Sequence, residues 1–150
     1  MKFRHFLILI LTMSASVIMA QNNWNVDYNK AMAKAKVEKK PVLVLFTGSD
    51  WCPPCHILES RIFESKKFED YAKDNLILVM ADFPKRKQNQ LSIEQQQKNN
   101  KLAVKFGIRG FPTVLLLDTN GKVLDKKVGF GGETPEQYIQ NIKNKTKDIK

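Results

Sequence analysis

Two cysteines separated by two prolines constrain what this chain can fold into more than any other stretch. They belong to the segment Trp51–Cys55, which follows an apolar, β-branched run over 42–46 and precedes a stretch of helical spacing around Ile57 and Ile62. This order predicts a strand, a tight turn and then a helix that begins at the cysteines. A cysteine at a helix start lies near unpaired N–H groups and the positive end of the helix dipole, which favour the thiolate. We therefore expect Cys52 to be a nucleophile.

The second cysteine suits a different step of the same chemistry. Cys55 lies three residues further along the predicted helix and should be less exposed, so it is placed to attack a mixed disulfide on Cys52 and release the product. The chain has no other cysteine. A bridge that closes so short a loop restricts the unfolded chain little, which indicates a chemical rather than a structural role for the pair.

The first 20 residues have the composition of a secretory signal peptide. A basic start is followed by an almost wholly apolar run over 6–18, and the segment ends in the small residue Ala20. The run is shorter than the roughly 20 apolar residues that span a bilayer. We therefore predict a signal peptide over 1–20 and a single domain over 21–150, periplasmic or secreted, with no stable membrane insertion after cleavage.

The chain is basic, with a net charge of +10. Loss of Lys2 and Arg4 with the signal peptide leaves 23 basic and 15 acidic residues, a net charge of +8. The basic residues are spread along the chain, with a small cluster at 85–87, and they are not interleaved with aromatic residues as in a nucleic-acid-binding stripe. We expect no nucleic-acid partner, and a charge that serves solubility or loose attraction to an anionic envelope surface.

Hydrophobic periodicity predicts an alternation of helices and strands. Helices are predicted over 28–40 and 65–74, from 91–93 to 106 and from 135 onwards, and strands over 42–46, 76–83, 113–117 and 122–128. Asp27 and Thr134 are predicted N-caps, and the pair Asn120–Gly121 predicts a hairpin turn. The stretch 84–101, rich in Gln and Asn, is the least determined and is predicted to be a loop that leads into a helix.

Two separated motifs in this order resemble thioredoxins. They are Trp51–Cys55 and Gly107–Thr113, each beside a predicted strand, and the resemblance covers about 28–143. It implies an α/β, thioredoxin-like fold, with a central mixed β-sheet flanked by helices on both faces. It also implies a thiol–disulfide oxidoreductase that needs no cofactor or metal.

Within that superfamily the chain is most similar to exported single-domain proteins and to the C-terminal domain of transmembrane disulfide reductases. The segments that carry this similarity are Lys40–Val44, Phe63–Ser65 and Gly129–Phe130. The resemblance implies a monomer that reduces or isomerises disulfides of envelope proteins and receives electrons from another thiol protein. The two prolines between the cysteines are nearer the reducing members, although the sequence leaves the direction of electron flow open.

The resemblance also implies which residues surround the cysteines. Pro112 should be cis and should lie against the Cys52–Cys55 pair, while the backbone of Phe111 should pair with an extended substrate. Trp51 should flank the sulfurs, and Thr113 completes the substrate-binding set. An ordinary proline at a strand start is the alternative for Pro112.

One departure from the family pattern concerns proton transfer. Many thioredoxins carry a buried aspartate on the strand before the cysteines, and the alignment places Leu45 there. Glu59 is four residues after Cys55 on the same predicted helix face, and the reductase-domain relatives also have a glutamate there, so it is a candidate proton acceptor. A solvated helix carboxylate is the alternative for Glu59, and Asp50 is a weaker candidate.

Other chemistries fit parts of the sequence. The segment Cys52–His56 matches the attachment motif of c-type haem, with His56 as the axial ligand, but that account gives no role to the preceding strand or to Gly107–Thr113. A zinc site lacks four convergent ligands, because no further histidine follows His56. A redox-inert binding module that keeps the fold is a third alternative, and the two intact cysteines argue against it.

Overall fold

Five strands form a central mixed sheet in the computed structural model, which describes residues 23–149. Along the chain the strands are β1 (Trp24–Asn25), β2 (Val42–Thr47), β3 (Ile77–Asp82), β4 (Thr113–Leu117) and β5 (Val123–Val128). Their order in the sheet is β1-β3-β2-β4-β5. β2 pairs in parallel with β3 and antiparallel with β4, so the strand that leads to the cysteines occupies the centre.

Helices cover both faces of this sheet. They are α1 (Tyr28–Glu38), α2 (Pro53–Leu58), α3 (Lys66–Asn75), α4 (Ile93–Lys105) and α5 (Pro135–Lys145), with a π-helical turn over Glu59–Phe63 and a 3₁₀ turn over Lys87–Asn89. One apolar core joins α2, the π-helical turn, α3 and α5 to one face, and a second core joins α1 and α4 to the other. The predicted fold class is confirmed.

The alternation of side chains along β2 explains why there are two cores. Leu43 and Leu45 belong to the core beneath α2, whereas Val42, Val44 and Phe46 belong to the other. All five are at most 1% exposed, because a central strand covered on both faces has no solvent side. The unbroken apolar run of the sequence follows from this position.

The ends of the helices follow their capping residues. The side chain of Asp27 accepts from the backbone N–H of Lys30, and Thr134 forms a capping box with Gln137. Both predicted caps are confirmed. The sequence did not predict β1, which is only two residues long and pairs in parallel with β3, because so short a strand carries no periodicity.

The predicted signal peptide over 1–20 lies outside the described residues. No helix within 23–149 is both long enough and apolar enough to cross a membrane.

Candidate active site

The cysteine pair lies where the central strand ends and α2 begins. β2 ends at Thr47, residues 48–51 form a turn that we call the active-site turn, and Cys52 is the N-cap of α2. The sulfurs of Cys52 and Cys55 are joined in a disulfide. Cys52 is 3% exposed and Cys55 is completely buried, so the first cysteine is the more accessible of two nearly buried residues.

The start of α2 differs from the sequence-based expectation in one respect. Pro53 and Pro54 have no N–H groups, and the N–H groups of Cys55 and His56 donate to the carbonyl oxygen of Cys52. The prediction that several unpaired N–H groups lie beside Cys52 is therefore wrong. The two prolines between the cysteines have no N–H groups to offer as donors. Any preference for a Cys52 thiolate at this helix start must therefore come from the dipole of the helix.

The indole of Trp51 is fixed from two sides. Its Nε1 donates to the carbonyl oxygen of Phe83 at 2.8 Å. On the other side the ring lies so close to Gly48 that any Cβ at position 48 would overlap it. A glycine is therefore required at position 48 of the active-site turn for the indole of Trp51 to take this place.

An aromatic contact brings the two sequence motifs together. The rings of Trp51 and Phe111 lie edge to face with centroids 5.8 Å apart, and Phe111 also contacts the ring of Phe83 at 5.1 Å. The Phe111–Pro112 peptide bond is cis, as the resemblance implied. Residues 60 positions apart in sequence thus meet at Trp51, which directly precedes Cys52. The expected contact of Pro112 with the cysteine pair stays a prediction.

Thr113 is placed differently from the other predicted substrate-binding residues. Its side chain is completely buried at the start of β4, and its hydroxyl donates to the carbonyl oxygen of Gly110 at 2.7 Å. The side chain therefore holds the segment 110–113 in shape. Its role in substrate binding stays a prediction, which this geometry restricts to positioning Phe111 and Pro112.

Glu59 faces the sheet rather than solvent. It is half-buried, and its Oε1 accepts a 2.7 Å hydrogen bond from the hydroxyl of Thr47, the last residue of β2. Burial raises the pKa of the Glu59 carboxyl above its usual value, while the Thr47 hydroxyl opposes that rise by favouring the charged form. A carboxyl in this setting holds a proton more readily than one in water.

Thr47 is a contributor that the sequence-based analysis did not identify. It lies two residues after Leu45 on the same face of β2, because side chains alternate along a strand. The period-two pattern from Leu43 and Leu45 would have placed the Thr47 hydroxyl beneath α2. The polar group on this strand is therefore displaced by two positions from the family's aspartate and is paired with Glu59.

Two aspartates hold the active-site turn against the end of β3 and the segment that follows it. Asp82 accepts from the N–H and hydroxyl of Ser49 at 2.9 and 2.5 Å. Asp50 accepts from the N–H groups of Lys85 and Arg86, each at 2.9 Å, and from the side chain of Asn89 at 3.0 Å.

These bonds assign Asp50 a different role from that of a proton acceptor. The N–H of Lys85, followed by the other donors, holds the pKa of the Asp50 carboxyl below its usual range. Asp50 therefore stays ionised and acts as an anchor for the loop over 83–90.

The ring of His56 is hydrogen-bonded to the active-site turn. Its Nε2 donates to the carbonyl oxygen of Ser49 at 2.7 Å, since a carbonyl can only accept. Within residues 23–149, no group of three or more His, Cys, Asp or Glu side chains is arranged to hold a metal ion.

Comparison with known proteins agrees with this geometry. The thioredoxin-like domain family matches residues 28–145, most of the chain. The chain belongs to this family. It is similar to the disulfide bond reductase DsbH of Chlamydia pneumoniae, with 32% identity over 137 residues that cover 91% of this chain and 80% of that protein. The solved structure of a DsbH oxidoreductase matches with a TM-score of 0.78 at 31% identity, covering 92% of this chain and 93% of that one.

A second relative is longer than this chain. The thioredoxin-related protein DsbJ of Chlamydia pneumoniae is 31% identical over 133 residues, which cover 84% of this chain and 38% of DsbJ. Together with the fold and the adjacent Cys52–Cys55 pair, these similarities identify a thiol–disulfide oxidoreductase. The fold and the family favour this activity over the haem and redox-inert alternatives.

Proposed function

We propose that the protein is exported and uses the Cys52–Cys55 pair to reduce or isomerise disulfides of cell-envelope proteins. The observation that carries this proposal is the contact between Trp51, the residue before Cys52, and Phe111 of the cis-proline segment. The similarity to the disulfide bond reductase DsbH of Chlamydia pneumoniae supports reduction as the direction. The signal-peptide pattern over 1–20 supports export.

The reaction consists of two thiol–disulfide exchanges. The Cys52 thiolate of the reduced protein attacks one sulfur of a substrate disulfide, so a bond from Cys52 to the substrate forms, the substrate S–S bond breaks and the leaving thiolate takes a proton. Cys55 then attacks the Cys52 sulfur, which closes the Cys52–Cys55 disulfide and releases the second substrate thiol. The substrate has gained two electrons and two protons. The protein has lost the two electrons and the proton of Cys55, and the other proton comes from solvent because Cys52 reacts as the thiolate.

Five other residues support these exchanges in our proposal. Glu59 accepts the proton of Cys55 as that sulfur attacks, because a half-buried carboxyl with a raised pKa is suited to a general base. Trp51 and Phe111 form the surface along which an extended substrate lies, and Thr113 and Pro112 hold that surface in shape. A separate thiol protein returns the pair to the dithiol form by the same exchange in reverse.

Insulin reduction by cysteine variants tests the proposed steps. Cys52→Ser should abolish the reduction of insulin, whereas Cys55→Ser should retain the first exchange and accumulate mixed disulfides, because only the resolving thiol is gone. In cells, the adducts of Cys55→Ser should be recovered from the envelope fraction, linked to protein that begins at Gln21. The Cys52→Ser/Cys55→Ser double variant is the control for capture that does not involve a thiol.

The possible failures of this test are distinguishable. Adducts formed through Cys55 in Cys52→Ser but absent in Cys55→Ser would reverse the assigned roles of the cysteines. Adducts with insulin but with no envelope protein would leave the oxidoreductase activity intact and contradict the proposed substrates. Recovery of the protein and its adducts from the cytoplasm would contradict export.

A further inference from the structure

Three consecutive basic residues lie beside the active site. Lys85, Arg86 and Lys87, which we call the basic rim, are all exposed and follow β3 by a few residues. The Nζ atom of Lys85 lies 3.7 Å from the centroid of the Trp51 ring, within the range of a cation–π contact. In sequence they are only a short charge run. The fold brings Lys85 over the residue that precedes Cys52 and the backbone of Arg86 to Asp50.

The rim is held in place rather than loosely attached. Asp50 binds the backbone N–H groups of Lys85 and Arg86, and the indole of Trp51 donates to Phe83, two residues before the rim. The backbone of the rim therefore has a fixed position relative to the disulfide. Its basic residues are exposed, with the ammonium of Lys85 above the Trp51 ring.

The nearby carboxylates do not neutralise these side chains by direct pairing. Asp50 is engaged with backbone N–H groups and Asn89, Asp82 with Ser49 and Phe83, and Glu59 with Thr47. No ion pair within residues 23–149 involves the three basic side chains of the rim. The charge of Arg86 also helps to lower the pKa of the Asp50 carboxyl, so Asp50 offsets part of the positive charge. The charges of Lys85 and Lys87 remain for a molecule that approaches Cys52.

We propose that the basic rim selects substrates whose disulfide is flanked by acidic residues. This inference rests on the proposed function and names the substrate class of the same site. A polypeptide that brings its disulfide to Cys52 must pass over Trp51, so the residues next to its cysteines come within reach of Lys85, Arg86 and Lys87. Carboxylates there gain attraction to a preformed row of positive charges, and lysines there are repelled.

Three synthetic peptides can test this selection. All contain the same intramolecular disulfide loop, and the loop is flanked on each side by two Glu, two Gln or two Lys residues. The measured quantity is the second-order rate constant for single-turnover reduction by the pre-reduced protein, followed by mass spectrometry of quenched samples. At low ionic strength we expect the Glu peptide to react roughly tenfold faster than the Lys peptide. The difference should largely vanish at 1 M salt, where the screening length falls to about 3 Å.

A matched pair of variants separates the rim from the net charge. Lys85→Gln/Arg86→Gln/Lys87→Gln should lower the Glu-to-Lys rate ratio to within about twofold of one, because the local positive charge is gone. The control removes the same charge from Lys143, Lys145 and Lys147, at the end of α5. Lys145 lines a cavity with Leu43 at the start of β2, the end of that strand away from the active-site turn. This control should keep the wild-type ratio and rate.

Each other outcome contradicts the inference in a recognisable way. Equal rates for the three peptides in the wild type would overturn the selection but leave the proposed function standing, whereas no reduction of any peptide would remove both. Equal loss of the ratio in the rim variant and the control would show an effect of net charge only. If the Glu-to-Lys rate ratio is unchanged in the rim variant but its binding to phosphatidylglycerol vesicles is lost, the rim is a membrane contact and does not select substrates.

If the triple variant fails to fold, Arg86→Gln alone should lower the Glu-to-Lys rate ratio in part. An unchanged ratio in that variant would contradict the inference.

Discussion

At the scale of single residues, the pairing of Thr47 with Glu59 is the feature that most distinguishes this site. The resemblance to thioredoxins places Leu45, which cannot titrate, at the position where many of them carry a buried aspartate. Glu59 approaches the same face of β2 from the helix side, and its carboxyl is half-buried and bonded to the Thr47 hydroxyl. A titratable group is therefore kept beneath α2, although it comes from another element.

The Glu59 pair predicts a specific pH dependence. Glu59→Gln should slow resolution of the mixed disulfide by up to about 10²-fold and leave the first attack by Cys52 much less affected, because Gln cannot accept a proton. Thr47→Val removes the hydroxyl that favours the carboxylate, so the pKa of Glu59 should rise further and the pH profile of resolution should move to higher pH. Stopped-flow measurements of both steps across pH would test this.

Stability provides an independent readout of the same group. Because the pKa of Glu59 is raised in the folded state, the folded protein holds this proton more tightly than the unfolded chain. Glu59 therefore supports folding most at low pH, and this support is lost as the pH rises through its folded pKa. Glu59→Gln should have a higher Tm than the wild type at neutral pH, and the difference should shrink in acid. A Tm difference independent of pH, together with equal resolution rates, would make Glu59 an ordinary helix carboxylate.

At the scale of elements, local sequence signals decide where most helices begin and end. Asp27, Ser65, Ser92 and Thr134 each accept a backbone N–H at the start of a helix. The end of α1 is the exception, because Lys39 takes a left-handed conformation with φ of 54° where glycine is usual. That ending directs the chain through Pro41 into β2.

Replacement of Lys39 tests the strain at this helix end. Lys39→Gly should stabilise the protein by up to about 1 kcal/mol, since the left-handed conformation disfavours a Cβ more than the added freedom of glycine disfavours folding. The matched control, Lys36→Gly at an exposed position in the last turn of α1, should destabilise it by up to about 1 kcal/mol. Urea unfolding of both variants would measure these changes. A loss of stability in Lys39→Gly as large as that in the control would contradict the assigned conformation.

At the scale of the whole molecule, the cysteine pair follows directly on the most buried strand of the sheet. β2 is hydrogen-bonded on both sides and lies between two apolar cores, whereas β5 is an edge strand with Val123 42% and Val128 63% exposed. A rigid centre and softer edges should follow, because local opening requires few buried contacts to be broken.

Native-state hydrogen exchange would measure this gradient. The amides of Val44 and Phe46 in β2 should exchange only through global unfolding and should respond steeply to added denaturant. Those of β5 should exchange through local opening, with little dependence on denaturant. Equal free energies of opening in the two strands would show that the sheet unfolds as a single unit.

The sequence alone was sufficient for the features that depend on neighbours in the chain. The apolar runs, the capping residues Asp27 and Thr134, and the turn at Asn120–Gly121 predicted their elements, because caps, turns and periodicity act over a few residues. The two motifs predicted the family and the cysteine pair. The spacing of four residues between Cys55 and Glu59, which puts both on one helix face, indicated Glu59 as a candidate proton acceptor.

Only the tertiary structure decided which distant groups meet. The short strand β1 exists because β3 offers it an open edge, and Thr47 matters because β2 runs beneath the helix that carries Glu59. The place of Lys85 over Trp51 depends on the parallel register of β2 and β3, which brings the ends of these strands together. Contacts of this kind depend on the packing of whole elements, and the spacing of residues along the chain does not encode them locally.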